Sequence, residues 1–332
     1  MVKVKLKKLM CGAIGAGGLL IGATAGAADS GGDYPSRPIR MLVPNAPGSS
    51  VDTLSRIIGN KMSEIVGQQL VIDNRAGAGS IVGMEIAKNA APDGYTLISA
   101  TTAASTVAVL LMKNPTFDPV KDYDHLSQFA VTANVLVVHP SVAAKSVREF
   151  IELAKTRGGK LNMASAGSGS QSHLSGAYFM NVAGMQSVHV PYKGGGPSVA
   201  AVMAGESQWT LTPAPAVMTH VNGGKVRALG HSLPGKSPLM GAIPAIAETL
   251  PGFDYSGWQG FLLPKGVAKP ISEKLRAALL KTAALPDVKT LLAAQATDLV
   301  TSTPDEFRKQ LVTEIARWKD LVPRLGIDKP ND

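Results

Sequence analysis

The chain has 332 residues, 45% hydrophobic and 17% charged, with a formal net charge of +9. That length suits two domains, and the composition excludes a disordered or collagen-like chain. The single cysteine, Cys11, lies in a segment with the form of an export signal, so the mature chain has no disulfide, thiolate metal site or cysteine nucleophile.

That segment comes first. Lys3, Lys5, Lys7 and Lys8 precede an apolar, glycine- and alanine-rich run over 9–23, and Ala25-Gly26-Ala27 has the small-x-small form of a signal-peptidase site. Residues 1–27 are therefore expected to be a cleaved signal peptide. The apolar run is too short and too rich in glycine for a membrane anchor. Cys11 follows Lys7-Lys8-Leu9-Met10 directly, which argues against lipidation. Cleavage removes four lysines and no acid and leaves +5. So mild an excess is weak evidence for nucleic-acid binding, and the aromatics do not alternate with basic residues as base stacking requires.

After a polar leader at 29–33, Ile39 to Val43 reads as a buried strand. Pro47-Gly48 marks a turn, and either Ser49 or Ser50 can cap the helix that follows. Leu54, Ile57, Ile58, Met62 and Ile65 form its apolar face. A strand, tight loop and helix of this kind present backbone N–H groups and the positive end of a helix dipole, which suits a carboxylate. Asp52 is read as capping its helix or holding the loop's N–H groups rather than as a general base.

Gln69 to Ile72 reads as a second strand, Asn74 to Ser80 as a turn, and Ile81 to Lys88 as a helix. Gly77, Gly79 and Gly83 miss the dinucleotide spacing by one place. Tyr95 to Ser99 is a third strand, followed by Thr101-Thr102-Ala103-Ala104-Ser105, another small, hydroxyl-rich loop. In open α/β sheets ligands gather outside the carboxyl ends of strands, so such loops favour a polar small-molecule site.

Leu126 to His139 contains a β-branched apolar run, and Ser146-Val147-Arg148-Glu149 reads as a capping box. Leu161 to Ala164 is a strand leading to a second Gly/Ser loop, Ala166 to His173, and a helix in register with Leu174, Tyr178 and Phe179. The two Gly/Ser loops are expected to face each other across a cleft; the plainer alternative is two ordinary strand–helix turns. Val188 to Tyr192, Gln208 to Thr212 and Val226 to Gly230 are further strands, with a loop at 193–197, a helix from Ser198, and Pro213 to Ala216 after the middle strand. Tyr255 to Leu263 is a strand containing Trp258. Three helical stretches end the chain, the last opened by Thr303-Pro304-Asp305-Glu306 and striped by Phe307, Leu311, Ile315, Trp318 and Leu321. The alternation gives an α/β class.

The histidines at 125, 139, 173, 189, 220 and 231 form no ligand pair, so no metal site is expected. There is no phosphate loop and no nucleophile elbow, since Gly169-Ser170-Gln171-Ser172 breaks the latter pattern. A serine hydrolase using Ser170 or Ser168 with His173 is the enzymatic alternative. Three residues along one loop do not make a triad.

Several segments together resemble a known family: YPSRPIRMLVPNAPGSSVDTLSR, VIDNRAGAGSIVGMEIAKNAAPDGYTL, NPTFDPVKDYDHLSQF, LNMASAGSGSQSHLSGAYF, VPYKGGGPSVAAVMAGE, GGKVRALG and WQGFLLPKGVAKP. They span nearly the whole mature chain. The chain resembles the Bug-type extracytoplasmic solute receptors, the binding proteins of tripartite tricarboxylate transporters. The resemblance implies a type II periplasmic-binding-protein fold, two α/β domains with a hinge and an interdomain cleft. Domain 1 would comprise 29–130 plus 232–332 and domain 2 131–231, with hinge crossings near 135–138 and 227–230. Carried over from the family, the ligand-binding residues would be Ala46, Ser49, Ser50 and Asp52 from the first loop and Ser168, Gly169, Ser170 and His173 from the second. Thr101, Thr102, Pro213, Ala214 and Ala216 would shape the ligand's far end. Gly48-Ser49-Ser50 departs from the glycine pair common in the family's first loop. The implied protein is a monomeric periplasmic receptor for a small organic carboxylate, without cofactor or catalysis, that docks on integral-membrane transporter subunits or serves mainly in signalling.

Overall fold

The computed structural model describes residues 34–325 and residue 327, so the expected signal peptide at 1–27 lies outside the described residues. The apolar run at 39–43 forms strand β1 (Ile39–Val43), followed by α1 (Ser50–Val66), β2 (Leu70–Asn74), α2 (Ile81–Lys88) and β3 (Thr96–Thr101). A π-helical turn over Ala103–Val107 leads into the short α3 (Ala108–Leu111). The sequence reads Thr101 to Ser105 as a loop, whereas the structure coils most of it into this turn. Five of its small and β-branched side chains are buried there.

Then comes β4, sixteen residues long (Tyr123–Val138). After it follow α4 (Val147–Thr156), β5 (Asn162–Ser165), α5 (Gln171–Ala183), β6 (Val188–Pro191), α6 (Gly195–Met203), β7 (Trp209–Pro213), α7 (Ala214–Asn222) and β8 (Arg227–His231). The chain closes with β9 (Ser256–Pro264), α8 (Lys269–Ala284), α9 (Pro286–Ala294), β10 (Thr297–Leu299) and α10 (Pro304–Leu321). Helix α6 begins three residues before the expected Ser198, because Gly195, Gly196 and Pro197 make its first turn; proline is tolerated there, where its missing N–H has no helical partner.

The ten strands run β2-β1-β3-β9-β4-β7-β5-β6, with β10 and β8 also on β4. Residues 123–133 of β4 pair with β9, and 134–138 pair with β7. The switch falls between Ala133 and Asn134, and there one strand passes from the first sheet into the second. Side chains alternate as the pleat requires: Leu136 and Val138 enter the cluster containing Phe150, Phe179 and Trp209, while Val135 and Val137 enter the one containing Val199, Val202 and Val217. The first sheet is likewise covered on both faces, with Ile39 and Met41 packed with Leu54, Ile58 and Leu275, and Leu42 with Met84 and Phe307. Sheets buried on both faces explain why the strands read as unbroken apolar runs.

Two further segments link the sheets. Residues 232–255 leave β8 and return as β9, with Ile246, Phe253 and Tyr255 buried in the second sheet's Phe150–Trp209 cluster. Helix α10 spans both cores. Its start carries the expected capping box, with Glu306 N donating to Thr303 Oγ1 (3.2 Å) and Thr303 N to Glu306 Oε2 (2.8 Å). Phe307 meets Trp258 edge-on at 5.1 Å between ring centroids, and Trp318 meets Tyr255 at 5.6 Å. At α4 only half of the expected box forms. Ser146 Oγ accepts from Glu149 N (3.2 Å), but the Glu149 carboxylate takes its bond from Lys145 N (2.8 Å).

Phe307 is fully buried, and its ring fills the space beside Gly260. Phe307→Ala is expected to cost about 3–5 kcal/mol of stability, measured as a lowered urea midpoint with an unchanged slope.

Candidate functional site

In α/β units each helix starts just beyond the carboxyl end of a strand, and here five helix starts meet around one small space. Its walls are Ser49, Ser50 and Val51 at the start of α1, Ser80 before α2, and Ser170, Gln171 and Ser172 at the start of α5. Gly195 of α6 and Pro213 and Ala216 around the start of α7 complete the ring, with Asn45, Thr101, Ala103, Ala166 and Thr212 between them. The chamber measures about 40 Å³. Asn45, Ser80, Ala166 and Ser170 also line a second, outer cavity of about 480 Å³, bounded by Pro44, Ala46, residues 76–79, Gly167, Ser168 and residues 192–194.

No charged side chain lines the inner chamber. Its chemistry is that of hydrogen-bond donors. Ser49 caps α1, its Oγ accepting from Asp52 N (3.3 Å), and Ser170 caps α5, its Oγ accepting from His173 N (3.3 Å). The N–H groups of Ser50, Val51, Gln171 and Ser172 fall in first turns, where a helix offers them no acceptor of its own. Each helix start also brings its positive dipole end, worth about 0.3–1 kcal/mol toward an anion. The arrangement can hold a carboxylate without a counter-charge.

The two Gly/Ser loops line one chamber, through Ser49 and Ser50 of the first and Ser170 and Ser172 of the second, and the 74–80 turn before α2 meets the second loop directly. Gly79 sits at φ +64°, and a Cβ on it would stand 3.0 Å from the Ser168 carbonyl oxygen. Only glycine fits both that conformation and that contact. Gly83, off the dinucleotide spacing, serves close packing: a Cβ there would be 2.5 Å from Pro44 Cβ, so α2 lies directly against the first loop.

Of the residues expected in a binding site, Ser49, Ser50, Thr101, Ser170, Pro213 and Ala216 line the inner chamber, and Ala46 and Ser168 line the outer cavity. The other five stand behind these walls. Asp52 is turned into the loop, accepting from Gly48 N (2.9 Å), Asn74 Nδ2 (3.0 Å) and Arg56 Nε (3.0 Å). Burial pushes its carboxyl upward, but the hydrogen bonds from Arg56, Gly48 and Asn74 and the Arg56 charge outweigh that and hold it below the ordinary carboxylate range. Thr102 Oγ1 accepts from Trp258 N (3.0 Å), and Ala214 is buried among Val199 and Val217. Gly169 N donates to His173 Nδ1 (3.0 Å), whose ring stacks on His189 at 3.9 Å. Burial, with His189 beside it, lowers the His173 pKa to about 4, and burial lowers that of His189 as well.

His173 therefore positions the Ser168–Ser170 loop, and its Nδ1 is committed to Gly169 rather than to either serine hydroxyl. The chamber residues that sequence reasoning missed are Asn45, Val51, Ser80, Ala103, Ala166, Gln171, Ser172, Gly195 and Thr212. Some signal existed for Asn45 and Ser172, which are polar neighbours of named loop residues. Ser80 lay in a turn with no mark of function. Asn45 Nδ2 donates to Ser80 Oγ (3.2 Å) and joins the two.

Residues 54–327 match the family described as "Tripartite tricarboxylate transporter family receptor". The chain belongs to this family. The receptor is 34% identical to Protein BugT of Bordetella pertussis over 308 residues, covering 92% of this chain and 94% of BugT. Among solved structures it is similar to an R. palustris protein determined with adipate, at 28% identity and a TM-score of 0.86, over 89% of this chain and 99% of that one. It is also similar to MatC from Rhodopseudomonas palustris with bound malate, at 29% identity and a TM-score of 0.82, over 87% and 100% of the two chains. The fold is thus the two-domain fold of periplasmic solute-binding proteins, and the family consists of receptors rather than enzymes.

Two outcomes follow from the loop chemistry. Asp52→Ala leaves Gly48 N–H without its acceptor and takes the carboxylate from Arg56 and Asn74, which keep only their bonds to each other and to the Asn45 carbonyl, so it is expected to weaken ligand binding by about tenfold, read by calorimetry, while the circular-dichroism spectrum stays unchanged. His173 and His189 have folded pKa values depressed below the ordinary 6.5. The unfolded chain then binds protons that the folded chain does not. The stability these histidines contribute is fully present above 6.5 and is lost as pH falls toward 4. The melting temperature is expected to drop across that window, and less steeply in His173→Gln/His189→Gln.

Proposed function

We propose that this protein is a periplasmic receptor that captures a small organic carboxylate in the chamber between its two sheets and delivers it to a membrane transporter. The observation that supports this most is the ring of five helix starts around a space lined by no charged side chain. Such a site favours an anion through N–H and O–H donors and dipoles, and a chamber of about 40 Å³ has the size of a carboxylate group with a water or two. That family relatives were determined with adipate and malate agrees with this chemistry. Ser49, Ser50, Thr101 and Ser170 are the direct donors in this reading, with Asn45 and Ser172 beside them. Asp52 and His173 hold the two loops in place.

Binding requires the lobes to part. We place the hinge where β4 changes partners at Ala133 and Asn134, with residues 232–255 moving with the second sheet because Ile246 and Phe253 are buried in its core. Closure is then a population shift, driven by tighter binding to the closed state. The closed surface is what a transporter subunit in the inner membrane would recognise. Among the described residues no helix is long and apolar enough to cross a membrane.

A thermal-shift screen of refolded protein against a carboxylate library tests the reading, since a ligand that binds only the folded state stabilises it by about 2.7 kcal/mol at a hundredfold excess over Kd and so raises the melting temperature. One or more carboxylates should give a saturable shift. Gly195→Leu should abolish it without lowering the melting temperature of the free protein by more than a few degrees. A Cβ at Gly195 meets nothing closer than 3.9 Å, but a longer side chain projects into the chamber. Saturable shifts with neutral sugars and none with any carboxylate would overturn the proposal.

A further inference from the structure

The second sheet has two ends. At one, β5 and β7 run into the chamber. At the other β4 finishes at Val138, which pairs with Trp209 at the start of β7 and with Arg227 at the start of β8. Strand β7 reaches the chamber only at Thr212 and Pro213, so roughly 10 Å of strand separates this far edge from the site. Two cavities open at the far edge, both against the 140–146 segment that joins β4 to α4. The first, about 570 Å³, is lined by Lys145 and Arg227, and the second, about 460 Å³, by Arg157 and Lys160; no acid lines either. Arg227 braces the segment they share, its guanidinium donating to the carbonyl oxygens of Pro140 (3.4 Å), Val142 (3.1 Å) and Ala144 (3.1 Å).

The charge of the chain is gathered on this side. Residues 131–231 carry eight Lys or Arg against three acids, while the other residues after the expected signal carry twenty-one of each. The bases around the first sheet are paired, Arg40 with Asp73, Arg56 with Asp52 and Lys61 with Asp287. Lys145, Arg157 and Lys160 are exposed, and none of them forms an ion pair among the described residues. Two acids offset part of this charge. Glu149 is turned to the Lys145 N–H (2.8 Å), and Glu206 stands near the second cavity, its carbonyl accepting from Asn162 Nδ2 (3.4 Å). A positive excess remains, and unpaired bases of one sign attract and orient a partner of the other. We infer that this far edge of the second sheet is a docking surface for an acidic segment of another protein, whose carboxylates enter the two cavities against Lys145, Arg157 and Lys160. The bases all belong to one sheet, so docking here needs neither closure nor a ligand in the chamber. A lipid surface fits less well: a bilayer is flat where this face is hollowed, and among the described residues no aromatic side chain is exposed to anchor at its interface. The inference does not depend on the carboxylate-receptor reading.

The test is fluorescence anisotropy of a labelled aspartate decapeptide titrated with the protein at low salt. Saturable binding is expected, weakening as ionic strength rises. Lys145→Gln/Lys160→Gln, which takes one charge from each cavity, should weaken it about threefold, and Lys145→Arg/Lys160→Arg should restore it. Lys281→Gln/Lys289→Gln removes the same charge from exposed positions on α8 and α9 and should leave the affinity within error. Gly195→Leu, which fills the chamber, should leave it unchanged as well. Absence of binding, or equal weakening by the two lysine-to-glutamine pairs, would overturn the docking surface. Loss of binding in Gly195→Leu would place the peptide in the chamber and overturn it too. Tighter binding to phosphatidylglycerol vesicles than to the decapeptide, with the same dependence on Lys145 and Lys160, would give the face to lipid instead. None of these outcomes bears on the carboxylate screen.

Discussion

The constraint on which the molecule depends is the backbone pairing of β4. A buried strand of sixteen residues carries donors and acceptors along both edges, and nearly all of them must find partners. No single neighbour supplies them. Thr132 pairs with Gly257 of β9 and Thr297 of β10, and Val135 pairs with Thr212 of β7 and His231 of β8. Four strands from distant parts of the sequence must therefore converge on one. The chain order follows: the segment after β4 builds the second sheet, returns through β8 to β4, and crosses back as β9. At the crossing Ser232 N donates to the Asn134 carbonyl (2.9 Å) and Ser232 Oγ accepts from Asn134 N (2.8 Å). A hydroxyl thus replaces a ladder bond where the partners change, and the joint is satisfied without becoming a continuous sheet.

The arrangement of the site is a consequence of that topology. Parallel strands with helical crossovers put helix starts at the strands' carboxyl ends. Two such sheets joined along a common strand turn those ends toward each other, so the N-termini of α1, α2, α5, α6 and α7 converge without any charged side chain being placed between them. Apart from Asn45 and Gln171, the polar groups are backbone or short serine and threonine side chains, which lose little entropy when ordered. The costs of order are carried one layer out. Asp52 ties Gly48, Asn74 and Arg56 together behind the first loop, and His173 ties Gly169 behind the second.

The fold was legible where local chemistry decides it. Strand β1 and helix α2 occupy the residues that the apolar patterns mark, and the Thr303–Glu306 capping box forms as written. Local rules failed where a neighbour in space decides. The π-helical turn at 103–107 is imposed by packing, since Val107 is buried with Leu136 and Phe150 from the second sheet's core. Gly195-Gly196-Pro197 looks like a loop by composition but is a first helical turn. The site was half legible for the same reason. Ser49 and Ser170 could be picked out because capping is local. Asn45, Ser80 and Thr212 join them only through the meeting of distant loops, which no spacing in the chain encodes. Asp52 holds a loop N–H group, that of Gly48, as its place in the sequence suggests, and the structure adds Asn74 and Arg56 as partners. His173 has the residue type of a ligand contact, yet its Nδ1 accepts from Gly169 N of its own loop, a direction that only the turn geometry sets.

A neutral chamber built this way has a functional logic. An arginine or lysine at the same place would bind any anion strongly, open or closed, because one charge acts across several ångströms. Helix dipoles act within about one turn of the helix end. Donors from α1 and those from α5 and α6 therefore reach the same anion only when the two sheets are together. In the proposed mechanism the gain from each side is small and the sum exists only in the closed form, which would be the differential affinity that a ligand-driven closure requires. The nearness of Gly79 to Ser168 and of Gly194 to Ala46 belongs to the same design, since any larger side chain at those glycines would hold the loops apart and remove one set of donors from the other. Small residues at the rim and neutral donors within it both serve the proposed mechanism, in which binding energy appears on closure and is absent before it.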